Sequence, residues 1–222
     1  GIFRLKRKIV FDSLAIGMSP FLMNLAACFI VIIINQGLKK YGGDLAIGAF
    51  GIVNRLVFIV VMIVMGLNQG MQPIAGYNFG AKLYGRVNKV LRLTIIYATA
   101  VTTFGFLVGM LVPDLVVGIF TSDAELTELS VTGLRITVMF FPIIGFQMVT
   151  SNFFQSIGMA GKAIFLSLTR QMLILLPCLL VLPQFFGVAG VWYSMPVSDL
   201  LASLIALVML VCQFRKFRTS PL

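Results

Sequence analysis

Apolar residues in this chain fall into six long runs, separated by short polar or turn-forming segments. A helix rises about 1.5 Å per residue, so about 20 predominantly apolar residues cross the hydrocarbon core of a bilayer. The runs cover residues 14–34, 45–73, 93–113, 134–158, 163–182 and 188–214. Each predicts a membrane-spanning helix. The second carries Arg55 near its start, and the sixth takes in Asp199, because 200–214 alone is too short. Between the last two lies Pro183-Gln184-Phe185-Phe186-Gly187, a tight turn punctuated by Pro and Gly. The predicted fold class is all-α, a polytopic membrane protein. Residues 1–13 form a basic lead-in, 14–214 a six-helix lobe and 215–222 a basic tail.

Lipid contact alone does not explain the faces of these helices. In the first run Gly17, Phe21, Asn24, Cys28, Val31 and Asn35 recur at steps of three and four, one face of a helix. The second repeats this with Gly51, Asn54, Phe58, Val61, Met65, Asn68 and Gln72, and the fourth with Phe140, Ile144, Gln147, Ser151, Phe154 and Gly158. Two readings stand. Small and amide residues glue membrane helices together. Alternatively the stripes line a shared cavity, with Asn24, Asn54, Met65, Gln147, Ser151 and Phe154 as candidate lining residues. Thioethers and aromatic faces suit flat, lipophilic guests.

Composition narrows the class. Apolar residues make up 59% and charged residues 11% of the 222, against about 45–50% and 25% in soluble domains. Twenty Phe and twelve Met call for an apolar solvent. With no His, His-based acid–base chemistry and His metal sites are excluded. Cys28, Cys178 and Cys212 lie far apart in apolar runs and read as free thiols, not as a disulfide frame or a metal cluster. The chain is read as no enzyme.

The net charge of +10 reflects topology. Twelve basic residues fall on one side of the predicted spans: Arg4, Lys6, Arg7, Lys8, Lys82, Arg86, Lys89, Arg92, Lys162, Arg215, Lys216 and Arg218. The other side holds Lys39 and Lys40 with Asp114, Asp123, Glu125 and Glu128. The positive-inside rule makes the first side, and both termini, cytoplasmic. The reading is a multi-pass protein of a prokaryotic cytoplasmic (inner) membrane. A first residue of Gly is what a fragment of a longer chain would show.

Four charges lie within the runs: Arg55, Arg135, Arg170 and Asp199. Each costs about 2.5–3.5 kcal/mol at a helix centre on insertion scales. Arg55 and Arg135 lie near span ends and can snorkel to the interface. Arg170 lies about 10 Å past Ala163 along the helix and could snorkel too. Asp199 is too short to do so. It shares a face with Trp192, Met195, Pro196, Ala202, Ser203 and Ala206. Pro196 opens the backbone bonding one turn earlier. Three readings compete. Asp199 pairs structurally with Arg170, serves as a protonatable ion-coupling carboxylate in the cavity, or is held among Ser203, Ser198 and Gln171 without a role.

The segment 66–92, GLNQGMQPIAGYNFGAKLYGRVNKVLR, is rich in Gly and turn formers before turning basic and helical. Pro73 is expected to end the second span there. Gly66, Gln69, Gly70, Pro73, Gly76, Asn78, Gly80 and Ala81 resemble the cytoplasmic loop motif of the multidrug and toxic compound extrusion (MATE) family. So does the stretch from Gln155, Gly158, Gly161 and Lys162 through Ser167, Arg170, Gln171 and Pro177 to Pro183, Gly187, Gly190 and Trp192. The match covers essentially the whole chain. It implies twelve helices in two six-helix lobes, of which this chain is similar to the second.

The resemblance further implies export of lipophilic organic cations, in exchange for protons or sodium, by alternating access. The N-terminal lobe and the bilayer are the implied partners. No organic cofactor and no nucleic acid are implied. Many sodium-coupled members carry a Glu in helix seven and an Asp in helix ten. Here those regions have Asn24, Ala26, Ala27 and Gln147, and no acid. Two alternatives stand beside this reading. A lipid-linked oligosaccharide flippase would carry more cavity arginines than Arg55, Arg135 and Arg170. A permease subunit of an ATP-driven transporter would need a cytoplasmic coupling helix, for which only 76–89 could serve.

Overall fold

The structure, a computed structural model, describes residues 7–219, with the side chains of 7–9, 12–17, 19, 20 and 215–219 outside that description. Arg4 and Lys6 of the lead-in and residues 220–222 of the tail lie outside the described residues. So do the side chains of Arg7, Lys8, Arg215, Lys216 and Arg218.

Helix α1 is hydrogen-bonded over Arg7–Gly80, 74 residues, which would measure about 110 Å if straight. That is more than three hydrocarbon cores of about 30 Å, so the helix has to fold back. It does so at Gly43, with φ 67° and ψ −162°, a backbone region open essentially to glycine alone. Ala27, Val31 and Ile34 before the bend line the same cavity as Phe50, Asn54 and Val57 after it. The arms 7–42 and 44–80 therefore lie side by side as two spans.

The third span is α2 (Tyr84–Leu111), followed by the single turn and a half of α3 (Pro113–Gly118). The fourth is bent. It comprises α4 (Ala124–Val138) and α5 (Phe141–Ser156), which meet at 56°. The fifth joins α6 (Ala160–Leu168), a π-helical stretch (Thr169–Leu175) and α7 (Leu176–Phe186) into one 27-residue rod. The sixth is α8 (Val188–Thr219). The result is an all-helical, multi-pass membrane protein.

Proline accounts for the irregularities. Pro142 offers no N–H to the carbonyl of Val138, and its ring crowds that carbonyl. The helix accordingly breaks at Met139–Phe140. Ahead of Pro177 the chain widens, and the N–H of Leu176 reaches Gln171, five residues back. Pro196 sits inside α8 and leaves the carbonyl of Trp192 without its helical donor.

Pro73 behaves otherwise than expected. The helix passes it and runs on to Gly80. One proline removes one hydrogen bond, and exposed Pro73 has room for its ring on the outer face. The helix stops instead at Lys82, whose φ is 57°. There the N–H of Lys82 donates to Phe79 at 3.0 Å and that of Leu83 to Asn78 at 2.9 Å, the Schellman pattern. The fifth span also runs past Pro183 to Phe186, so the expected five-residue turn narrows to Gly187.

Two buried clusters stack along the bundle. One holds Leu38, Ala46, Phe50, Val131 and Trp192 near the Gly43 end. The other holds Met71, Val87, Leu91, Phe153, Phe154 and Leu210 near the Gly80 end. Trp192 packs on Phe50 with ring centroids 5.9 Å apart. It also presses on Gly133, where a Cβ would stand 2.6 Å from the indole.

Two stability changes follow. Lys82→Gly relieves an L residue in the left-handed region, and should raise stability in detergent by about 0.5–1 kcal/mol net of glycine's own entropy. Gly133→Leu overpacks the indole and should cost about 1–3 kcal/mol. Thermal unfolding checks both. Emission from Trp192, the sole tryptophan, should shift in Gly133→Leu and stay unchanged in Lys82→Gly.

Candidate functional site

Beside the cluster near the Gly43 end, which lends it Ile34, Phe50, Val53, Phe141, Ile144 and Leu175, the helices leave a cavity of about 370 Å³. Its walls come from both arms of α1, the α4–α5 bend, the π-helical stretch and α8. Phe50, Phe58 and Phe141 supply aromatic faces, and Met148 and Met195 supply thioethers. Asn54, Thr137 and Ser198 are the neutral polar groups in the lining. Among the described residues, the only charged ones in the lining are Arg170 and Asp199.

Those two form an ion pair. Arg170 Nε donates to Asp199 Oδ1 at 2.7 Å, and Nη2 lies 2.7 Å from the same oxygen. Both nitrogens converge on a single oxygen. The Asp199 side chain is 6% exposed and that of Arg170 is 32%. Each residue sits at a local irregularity. Arg170 is the second residue of the π-helical stretch, a helical form that recurs at functional sites. Asp199 lies three residues past Pro196.

The hydroxyls near Asp199 serve the backbone instead of the carboxylate. Ser203 Oγ donates to the carbonyl of Asp199 and Ser198 Oγ to that of Met195, both at 2.7 Å. Gln171 Oε1 and Thr169 Oγ1 are buried without a hydrogen-bond partner.

The other residues singled out in the sequence are distributed as follows. Asn54 lines the cavity, as do Val31, Phe58, Val61 and Ile144 from the periodic stripes. Asn24 and Met65 are exposed on helix faces outside it. Gln147 and Ser151 are buried outside the lining, and Phe154 belongs to the cluster near the Gly80 end. The α5 stripe shares only Ile144 with the cavity. The cavity face runs Phe141, Ile144, Met148, beside the face carrying Gln147 and Ser151. The break at Met139–Phe140 also brings Thr137 of α4 to the same wall. Thr137, Met195 and Ser198 carry no periodic signal of their own. Met195 and Ser198 are reachable only as the helical neighbours of Asp199.

Arg55 and Arg135 are exposed and outside the cavity. In the loop motif Gly66, Gln69, Gly70, Pro73 and Gly80 are exposed. A Cβ on Gly76 would stand 3.0 Å from the carbonyl of Ser156, so that glycine lets α1 approach the end of α5. Asn78 Nδ2 donates to the carbonyl of Ile74 at 2.8 Å. Lys162 donates to the buried Gln213 and lies 5.2 Å from the Phe154 ring centroid. The three cysteines are free thiols.

The MatE family model matches residues 18–180. The multidrug export protein MepA of Staphylococcus aureus (strain MSSA476) is 27% identical over 201 residues, covering 90% of this chain and 44% of that protein. Among solved structures, the MATE multidrug transporter DinF-BH in complex with rhodamine 6G superposes with a TM-score of 0.84 at 34% identity, over 98% of this chain and 49% of that one. An outward-facing and an inward-facing MATE family transporter superpose with TM-scores of 0.88 and 0.87, both at 19% identity. They cover 98% and 99% of this chain and 49% and 51% of theirs. The chain thus spans about half the length of the relatives it matches.

A cycle of substitutions tests the pair. Arg170→Met alone leaves a buried carboxylate unpaired and should cost about 3 kcal/mol, whereas Arg170→Met with Asp199→Leu should cost less than about 1. Thermal unfolding of both variants in detergent checks the difference.

Proposed function

The chain belongs to the MatE family of multidrug export transporters, and from that premise we propose that it is the second six-helix half of an ion-driven exporter of lipophilic organic cations. The observation that carries this reading is the cavity, apolar and aromatic, with one carboxylate in its wall. Its volume of about 370 Å³ is at the small end of ligand sites, as fits one wall of a chamber completed by a partner half. Flat cationic guests stack on Phe50, Phe58 and Phe141 and meet the amide of Asn54. Asp199 is the candidate for coupling to protons or sodium.

Charge and fold together support one sidedness. Gly42 lies against Val188, and Gly48 against Leu126, so the predicted outer connections share one end of the bundle. Gly76 meets Ser156, and Lys162 meets Gln213, at the opposite end, where the basic connections converge. That end is cytoplasmic in a prokaryotic inner membrane, with both termini on the same side. One conformation of this half superposes about equally well on outward-facing and inward-facing transporters. This supports rocking of rigid halves as the route of alternating access. The flippase alternative is disfavoured. The cavity offers a single arginine for a phosphate headgroup, and Asp199 already holds it.

Efflux of rhodamine 6G from cells producing the full transporter tests the function. Wild type should extrude the dye. Asp199→Asn, at equal membrane abundance, should lose at least about tenfold, the loss of one charge-assisted contact of about 1.5–3 kcal/mol. Collapsing the proton gradient at varied sodium identifies the coupling ion. Equal efflux by both proteins assigns coupling to the other half, and no efflux by either returns weight to the flippase. Sidedness is tested in a background with the native cysteines replaced. Lys40→Cys should react with an impermeant maleimide on intact cells, and Lys89→Cys only after permeabilisation.

A further inference from the structure

The cavity is electrically neutral before any guest enters. Among the described residues its only charges, Arg170 and Asp199, neutralise each other, with two guanidinium nitrogens 2.7 Å from one oxygen. Both side chains line the cavity, and the guanidinium is the more exposed partner, 32% against 6%. A monocation entering beside the closed pair leaves one uncompensated positive charge among Phe and Met side chains, where an isolated charge is most costly. Opening the pair removes that cost. The guest takes the carboxylate and the guanidinium withdraws.

Arg170 is placed where withdrawal is mechanically open to it. It lies in the π-helical stretch Thr169–Leu175. A change from π to α register there shifts the chain by one residue and swings a side chain by about 100°. The residues on either side of it, Thr169 and Gln171, each keep a buried oxygen without a partner. The present register therefore leaves polar groups unsatisfied next to the pair. The long stem also lets the charge snorkel toward the Ala163 end of the helix, about 10 Å away.

We propose that Arg170 is a tethered competitor for the guest: a lipophilic organic monocation reaches Asp199 only by displacing the guanidinium, so that guest occupancy and closure of the pair exclude each other. The proposal rests on the export reading and adds a selectivity rule. The site pairs Asp199 with one cation at a time, and a neutral guest of similar shape gains nothing from Asp199.

The test is fluorescence anisotropy on the purified full transporter, with cationic rhodamine 6G and the neutral dye Nile red. Arg170→Gln removes the competitor and should tighten rhodamine 6G binding by about tenfold, leaving Nile red within about twofold. Asp199→Asn, alone or with Arg170→Gln, should abolish the preference for the cationic dye. Propylguanidinium should displace rhodamine 6G from Arg170→Gln and not from Asp199→Asn. Where Arg170→Gln is not recovered folded, Arg170→Lys carries the test. It keeps the charge, loses the two-pronged geometry, and should tighten rhodamine 6G by about threefold.

Unchanged rhodamine 6G binding in Arg170→Gln or Arg170→Lys, or a loss shared equally with Nile red, makes the pair scaffolding and overturns the competition. Absence of binding of either dye by wild type and every variant sinks the export reading itself, and the competition with it.

Discussion

A carboxylate at the middle of a membrane bundle has to be satisfied within the bundle, and much of this structure is arranged around that demand. Asp199 is too short to reach water, so a cation comes to it. Arg170 does so from the neighbouring rod, 29 residues back in the chain, with two nitrogens on Oδ1. The pair fixes how closely the π-helical stretch and α8 run. It also lies in the wall of the cavity that borders the cluster near the Gly43 end.

The backbone departures gather around the same level. The π-helical widening before Pro177, the bend before Pro142 and the interruption at Pro196 all border the cavity. Regular helices would present continuous apolar faces there. Each proline removes one hydrogen bond, and the widened or bent turn that results re-aims the side chains of Arg170, Thr137 and Phe141. Away from this level the bundle is conventional. It is held by close helix contacts such as Trp192 on Gly133 and α1 on the end of α5 at Gly76. The conformational irregularity is thus concentrated where a guest would bind, and the rest of the half is suited to move as one body.

Much of this is legible in the sequence, for physical reasons. Apolar runs report spans because the bilayer sets their length. Charge asymmetry reports which connections share a side. Asp199 stands out because an acid in hydrocarbon needs an explanation, and Arg170 is a cation within reach of it. Less legible is everything that depends on helical phase across a break. Of the stripe Phe140, Ile144, Gln147 and Ser151, only Ile144 reaches the cavity, where it is joined by Phe141 and Met148 from the adjoining face of α5 and by Thr137 from across the rupture at Met139–Phe140. Pro73 reads as a stop for a helix that in fact runs on to Gly80, because an exposed proline costs one bond and no steric conflict with the bundle. The end of that helix is set by the Schellman turn at Lys82, which hydropathy does not register.

The central claim is that a cationic guest and Arg170 share one carboxylate. A structure of the full transporter with rhodamine 6G bound tests it most directly. The account predicts the dye against Phe58 and Met148, its charge directed at Asp199, with both Arg170 nitrogens withdrawn beyond hydrogen-bonding distance from Oδ1. Dye bound in that cavity with the pair still closed at its present 2.7 Å would contradict it.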